Sequence, residues 1–237
     1  MKPSPDNDPQ GGPPVPAHGG TSDRPRVMKL AILGTTGSVG SELVTQALAA
    51  GHQVTALVRA QPRAGEIDDR VELIVGDATS ADSVKRAVQG SDAVLSALGH
   101  AKGASDDLLA QTSSNLIAAM QADGVPRLVV LSSAAVVDRA DRPSLFYGAA
   151  RVLLRAVMPS VVRDHRNQAR LIEDSGVAWT IVRGPLVFTD GPHSGRYHAG
   201  PIGRDSGPRI SRADLADFML AIANDGGFVR MKPLVSQ

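Results

Sequence analysis

The strongest constraint on how this chain folds is the stretch Lys29-Leu-Ala-Ile-Leu-Gly-Thr-Thr-Gly-Ser-Val-Gly-Ser41. An apolar run, Leu30 to Leu33, leads into three glycines, Gly34, Gly37 and Gly40, spaced G-x-x-G-x-x-G. Val39, Leu43, Ala47 and Leu48 then recur at helical spacing, and Gly51 stands where that helix would end. Strand, glycine turn and helix in this order hold a dinucleotide pyrophosphate. Glycine admits φ > 0 and a close backbone approach to phosphate. The helix N-terminus adds unpaired N–H groups and about half a positive charge. The candidate cofactor contacts in the turn are Gly34, Thr35, Thr36, Gly37, Ser38, Val39 and Gly40. In a chain with 24 glycines the triplet alone says little, but the flanking strand and helix supply the context it requires. The competing reading is a tight βα turn in another α/β fold.

Composition narrows the class. Of the 237 residues 42% are apolar but only 3% aromatic, so the core must be built from Val, Leu, Ile and Ala. That suits a parallel sheet covered by helices. The 25 basic and 24 acidic residues nearly cancel, and no basic stripe carries interleaved aromatics, so no nucleic-acid partner is expected. The absence of cysteine excludes disulfides, a thiol nucleophile and zinc-thiolate sites, and no metal site is expected. No run approaches the roughly 18 apolar residues a membrane span needs, so no membrane partner is expected either. With no secretory pattern at the N-terminus, the expected compartment is the cytoplasm.

Residues 1–26 contain seven prolines and four glycines, with Met1, Val15 and Ala17 as their apolar residues. Such a segment buries too little surface to offset the entropy of ordering and reads as a disordered tail. Residues 27–237 read as one domain. Val54 to Arg59 is the second strand, Val71 to Val75 the third, Asp92 to Leu98 the fourth and Arg127 to Ser133 the fifth. Helices are expected from Ser80 or Thr79 to Gln89, from Ser105 to Asp123, and over 144–158 and 163–175, with Pro159 between the last two. Ala178 to Val182 is a sixth strand. A loop rich in Gly, Pro and His covers 189–209. Ser211-Arg-Ala-Asp214 is a capping box opening a helix to about Asn224, and Phe228 to Val235 adds a last strand. Alternating strands and helices with short connections give a Rossmann-like, doubly wound parallel sheet flanked by helices, with a small C-terminal region covering the substrate.

Ligands of such sheets bind outside the carboxyl ends of the strands. The glycine turn, Arg59, Asp77, Leu98-Gly99 and Ser132-Ser133 all fall there. An acidic residue at the end of strand two would select NAD; Arg59 stands there instead and suits the 2′-phosphate of NADP through charge-assisted hydrogen bonds. The bland alternative is a solvated arginine at a strand end. Asp77, followed by Ala78, either braces its loop or bonds the adenine amino group. Gly99 lets a cofactor lie against the backbone.

The chain resembles the short-chain dehydrogenase/reductase superfamily in its atypical branches, and within them the NAD(P)H-binding flavin reductase/biliverdin reductase B group, related to NmrA-like proteins. The pieces that carry the resemblance are G-T-T-G-S-V-G at 34–40, L-V-R at 57–59, G-D at 76–77, L-S-S at 131–133, D-H at 164–165, E-D-S-G at 173–176, S-G-R-Y at 194–197 and R-I-S-R-A-D-L at 209–215. The resemblance implies hydride transfer from NADPH to a planar small molecule such as a flavin, quinone or tetrapyrrole; the expected assembly is a monomer or weak dimer. It implies that Ser132 and Ser133 lie beside the nicotinamide and that Gly184-Pro185-Leu186 packs against it, with Gly184 where the family usually has proline. It also implies catalytic parts for Ser133 and His165. The alternatives are a strand-end serine that satisfies a backbone group and a helix-face histidine among Arg163, Arg166 and Arg170. An unperturbed imidazole, with a pKa of about 6.5, would donate a proton near neutral pH.

Ser133, Tyr147 and Arg151 echo the Ser…Tyr-x-x-x-Lys set of ordinary short-chain dehydrogenases. Arginine cannot simply replace the point charge of lysine, so Tyr147 reads as structural or substrate-lining. The leading expectation is therefore an NADPH-dependent reductase. Its rivals are a non-catalytic NADP(H)-binding redox sensor and a reductase or isomerase of one specific metabolite.

Overall fold

The computed structural model describes residues 26–63, 65–100 and 103–237. The tail expected over 1–26 lies, except for Arg26, outside the described residues. The fold is a doubly wound sheet. β1 (Lys29–Leu33) pairs in parallel with β2 (Gln53–Val58) on one side and with β4 (Ala93–Ser96) on the other, and β3 (Glu72–Val75) extends the β2 edge. β5 (Arg127–Ser133), β6 (Ala178–Gly184) and β10 (Leu234–Ser236) continue the parallel run, and β8 (His198–Gly200) closes it antiparallel to β10. The strand order is β3-β2-β1-β4-β5-β6-β10-β8, so the chain reverses direction across the sheet between β1 and β4. β7 (Val187–Thr189) and β9 (Arg209–Ser211) form a separate parallel pair.

β1 is buried on both faces because both are covered. Leu30 and Ile32 pack into one core with Leu43, Val44, Ala47 and Leu48 of α1 (Ser38–Ala49) and Leu215, Phe218, Met219 and Ile222 of α6 (Arg212–Asp225). Ala31 and Leu33 pack into the other, with Val84 and Val88 of α2 (Ala81–Val88), Leu116 and Met120 of α3 (Leu108–Asp123), and Ile172 of α5 (Pro159–Glu173). Each fully buried Leu or Ile contributes about 1.5–3 kcal/mol, so the strand that carries the glycine turn is among the most firmly held.

Buried charges tie the C-terminal elements to the sheet. The Arg127 guanidinium donates to the Ile222 and Gly227 carbonyls and to Thr180 Oγ1, at 2.7–3.3 Å, which satisfies the C-terminal end of α6. Burial draws its pKa down to about 10. At the other end of α6, Ser211 caps the helix through Asp214 N, and Asp214 accepts from Ser194 N at 2.7 Å, Gly195 N at 2.9 Å and Ser211 Oγ at 2.8 Å. The sequence pieces at 194–197 and 209–215 thus meet at one carboxylate.

Four expectations change. Strand four ends at Ser96, not Leu98, which leaves Leu98 and Gly99 in the loop beyond the sheet edge. Pro159 does not separate two helices; it is the first residue of α5, where its fixed φ suits a helix start. The segment 189–209 is not all loop, since His198–Gly200 joins the main sheet and the short β7–β9 pair brackets the rest. The last strand is three residues long, because Phe228 and Arg230 sit at φ 56° and 58° in a turn that an extended strand cannot contain.

Candidate functional site

The glycine turn is a close approach of three pieces of backbone. Gly34 has φ 82°, and a Cβ there would lie 2.7 Å from the Ala97 carbonyl carbon. A Cβ on Gly40 would lie 2.0 Å from the Gly34 carbonyl oxygen. Gly37 N donates to that same oxygen at 2.9 Å and then becomes the cap residue of α1, with no side chain on the first-turn amides. Those amides therefore remain available to an anion. Thr35 is buried, and its Oγ1 has no hydrogen-bond partner among the described residues. A cradle with free N–H groups and an unsatisfied buried hydroxyl fits a dinucleotide pyrophosphate.

From this turn a cleft of about 490 Å3 runs along the carboxyl edge of β2, β1 and β4, a size typical of small-molecule sites. Gly34, Thr36, Gly37, Arg59, Asp77, Ala78, Leu98 and Gly99 all line it. Arg59 follows the last residue of β2, is exposed, and makes no ion pair among the described residues. Asp77 accepts from both N and Oγ1 of Thr79 at 2.7 Å, and these hydrogen bonds, helped by the charge of Arg59, hold its carboxyl below the usual range. Asn115 of α3 donates to the Thr79 carbonyl at 2.9 Å. Of the two readings of Asp77, the bracing of its own loop is thus visible, on the wall facing Arg59.

The remaining candidates lie beyond the cleft lining, around the carboxyl ends of β5 and β6. Ser132 and Ser133 point to opposite faces of the sheet, as successive strand residues must. Ser132 Oγ lies 3.0 Å from His165 Nδ1 on the α5 side. Ser133 Oγ accepts from Ala135 N at 3.1 Å, so its hydroxyl closes the turn after β5. Gly184 ends β6; its carbonyl accepts from Ala134 N at 3.1 Å, and the Phe188 ring occupies the place where a Cβ would stand. Pro185 is buried and Leu186 is exposed. Thr35 belongs to the turn and Ser38, Val39 and Gly40 to the first turn of α1, beside the residues that line the cleft.

His165 departs from the expectation of an ordinary imidazole. Burial, with the neighbouring His100 adding to it, brings its pKa down to about 4, so the ring is neutral at pH 7. His100 went unnoticed in the sequence. It follows the cleft-lining Gly99 in the chain, and its Nε2 lies 2.9 Å from the Asp164 carboxylate. Its ring meets that of His165 edge-on, with centroids 6.1 Å apart. Asp164 is almost wholly buried and also accepts from Leu109 N at 2.8 Å and Ala110 N at 3.0 Å, in the first turn of α3. One carboxylate thus holds the start of α3 and lies against the His100 imidazole. A lone histidine after a strand gives no signal, and its partner stands 64 positions away.

Tyr147 is structural. Its hydroxyl donates to the Gly207 carbonyl at 2.6 Å, and burial raises its pKa. Arg151 donates to the Ala134 carbonyl at 3.0 Å and to Asp141 at 2.8 Å, and Asp141 also takes a bidentate pair from the buried Arg183.

A family model described as NAD(P)H-binding matches residues 34–226. An uncharacterised Bacillus subtilis protein, YwnB, is 29% identical over 178 residues, 73% of this chain and 79% of that protein. The 3-diazoavenalumate denitrifying reductase of a Streptomyces species is 30% identical over 188 residues, 73% of this chain and 60% of that protein. Among solved structures, a short-chain dehydrogenase/reductase from Veillonella parvula in complex with NADP superposes with TM-score 0.70 at 20% identity, covering 88% of this chain and 94% of that one. An anaerobillin reductase from Escherichia coli superposes with TM-score 0.71 at 20% identity, covering 88% and 96%. These two share the fold.

Proposed function

The chain belongs to the NAD(P)H-binding family, and from that premise we propose that it is an NADPH-dependent reductase that delivers hydride to a planar acceptor such as a flavin, quinone or tetrapyrrole. The observation that carries the reading is the single cleft that joins the glycine turn, Arg59, which makes no ion pair among the described residues, and Gly99. The 490 Å3 volume takes the adenosine half of a dinucleotide, with the pyrophosphate on the α1 amides and the 2′-phosphate facing Arg59. The nicotinamide end then falls at the carboxyl ends of β4 to β6, where His100, Ser132, Ser133, His165 and Gly184 gather.

When bound, the nicotinamide supplies the hydride. The work left to the chain is to position two planar rings and exclude water between them. Ser132 fixes the orientation of the neutral His165 imidazole, and the Asp164 carboxylate lies 2.9 Å from His100 Nε2. The proton that completes reduction of the acceptor comes from solvent or through one of these imidazoles. Alcohol–ketone chemistry has little support, because the Tyr147 hydroxyl is committed to a backbone carbonyl and Arg151 stands where the Tyr-x-x-x-Lys pattern has lysine. The names of the Streptomyces and Escherichia coli proteins, both reductases, agree with this reading.

The test pairs calorimetric titration of NADPH and NADH with steady-state oxidation of NADPH in the presence of each acceptor class. Tight NADPH binding with acceptor-dependent oxidation is expected. Tight binding of both NADP+ and NADPH without turnover by any acceptor would replace the reductase with a redox sensor.

A further inference from the structure

α4 (Leu145–Val157) turns an apolar face to solvent. Of its thirteen residues only Tyr147 is buried. Leu145, Phe146, Ala149, Val152, Leu153, Ala156 and Val157 are all exposed, at 96% for Leu145 and 64–70% for Val152, Leu153 and Val157. At 100° per residue these seven positions fall within an arc of about 140°. Tyr147 and Arg151 stand on the opposite side, where they fasten the helix to Gly207, Ala134 and Asp141. The stripe is therefore held outward by hydrogen bonds and is not a core face awaiting closure by its own fold.

Where α4 meets α5, at a bend of 113°, a groove of about 240 Å3 is lined by Arg155, Arg163, Arg166 and Arg170, with Pro159 and Val162 between them. Arg163 reaches Asp106 at 3.5 Å; the other three make no ion pair among the described residues. Between Asp141 and Asp164 the sequence contains no acidic residue at all.

We propose that α4 and this arginine groove form a docking surface for an anionic lipid bilayer, with the apolar stripe entering the headgroup–acyl boundary and the arginines meeting phosphates. An apolar arc beside a cationic cluster is the pattern of a helix that lies in the membrane interface. Charge decides between this occupant and a second copy of the chain. Two α4 faces placed together would offer these arginines no carboxylate, whereas an anionic headgroup layer offers one countercharge after another. Residues 1–25, with three apolar residues among them, are poorly composed to cover the stripe. No single helix among the described residues is long and apolar enough to cross a membrane, and none needs to. The surface departs from the sequence expectation of no membrane partner, which rested on the lack of a span. Because Arg151 anchors α4 on Ala134, docking would set the carboxyl end of β5 beside the lipid surface.

The test is flotation of the full chain with vesicles of phosphatidylcholine alone and of phosphatidylcholine mixed with phosphatidylglycerol. Binding is expected to the mixed vesicles only, to weaken with salt, and to be lost in Leu153→Asp. Arg166→Ala and Arg170→Ala should each weaken it about fivefold. All three positions are exposed, and circular dichroism establishes that each variant is folded. No binding to mixed vesicles, equal binding to both vesicle types, or binding untouched by these substitutions overturns the proposal. A concentration-dependent dimer that Leu153→Asp dissolves, without vesicle binding, also overturns it and gives the face to self-association.

Discussion

The backbone of Gly40, in the first turn of α1, lies so close to Gly34 that a single added methyl carbon would stand 2.0 Å from the Gly34 carbonyl oxygen. That oxygen also accepts from Gly37 N, so helix and turn are pinned at one atom. Gly40→Ala must push α1 away from the turn or distort the turn itself. The expected result is a folded protein destabilised by about 1–3 kcal/mol, as for overpacking, with nucleotide affinity reduced more than tenfold. Urea denaturation and calorimetric titration read the two effects separately. Unchanged affinity would remove the pyrophosphate from this turn.

Arg59 is exposed and makes no ion pair among the described residues, so its replacement should cost little stability. Arg59→Asp removes a charge-assisted hydrogen bond, worth about 1.5–3 kcal/mol, from the 2′-phosphate. NADPH affinity should fall about ten- to a hundredfold, with NADH nearly unaffected. An equal loss for both dinucleotides would contradict the phosphate-clamp reading.

Asp164 and His100 should separate stability from positioning. The buried carboxylate accepts from two backbone amides of α3 and lies 2.9 Å from His100 Nε2. Asp164→Asn turns an acceptor into a donor at that point and should cost about 1–3 kcal/mol of stability. His100→Gln leaves the carboxylate on α3 and should lower turnover with little loss in melting temperature. Equal melting losses in both variants would assign His100 to structure alone.

His165 predicts a pH dependence. Its folded pKa, near 4, lies below the usual value of about 6.5. Between these values the unfolded chain binds more protons, so stability rises with pH across that window and is lost as pH falls through it. His165→Gln should flatten the slope between about pH 4 and 6.5. An NMR titration should find the imidazole neutral down to about pH 5. A midpoint at 6.5 or above would contradict the buried environment.

The cleft half of the candidate site was legible in the sequence because its determinants are local. A glycine triplet between a strand and a helix, and a residue directly after β2, have their places fixed by chain order. The buried strands were legible for the same reason: Leu30 to Leu33 and Leu128 to Val130 are continuous apolar runs, as a sheet covered on both faces demands. The cluster around His100 and His165 was not. His100 meets Asp164 from another element, and the environment that makes His165 neutral is assembled from α5, β5 and the loop after β4. β7, β8 and β9 have three residues each, too few for an alternating pattern to stand out. The last strand was drawn too long because φ is not visible in Phe228 or Arg230. The periodicity of 144–158 revealed a helix but not that its apolar side faces outward, since that depends on Tyr147 and Arg151 finding their partners.

The most direct test of the reductase reading follows the near-ultraviolet absorbance of NADPH with the purified full chain, adding FMN, riboflavin, a quinone and biliverdin in turn. Oxidation that needs both the protein and a planar acceptor is the expected result, and the order of rates begins to name the substrate. NADPH that binds tightly yet stays reduced with every acceptor would contradict it.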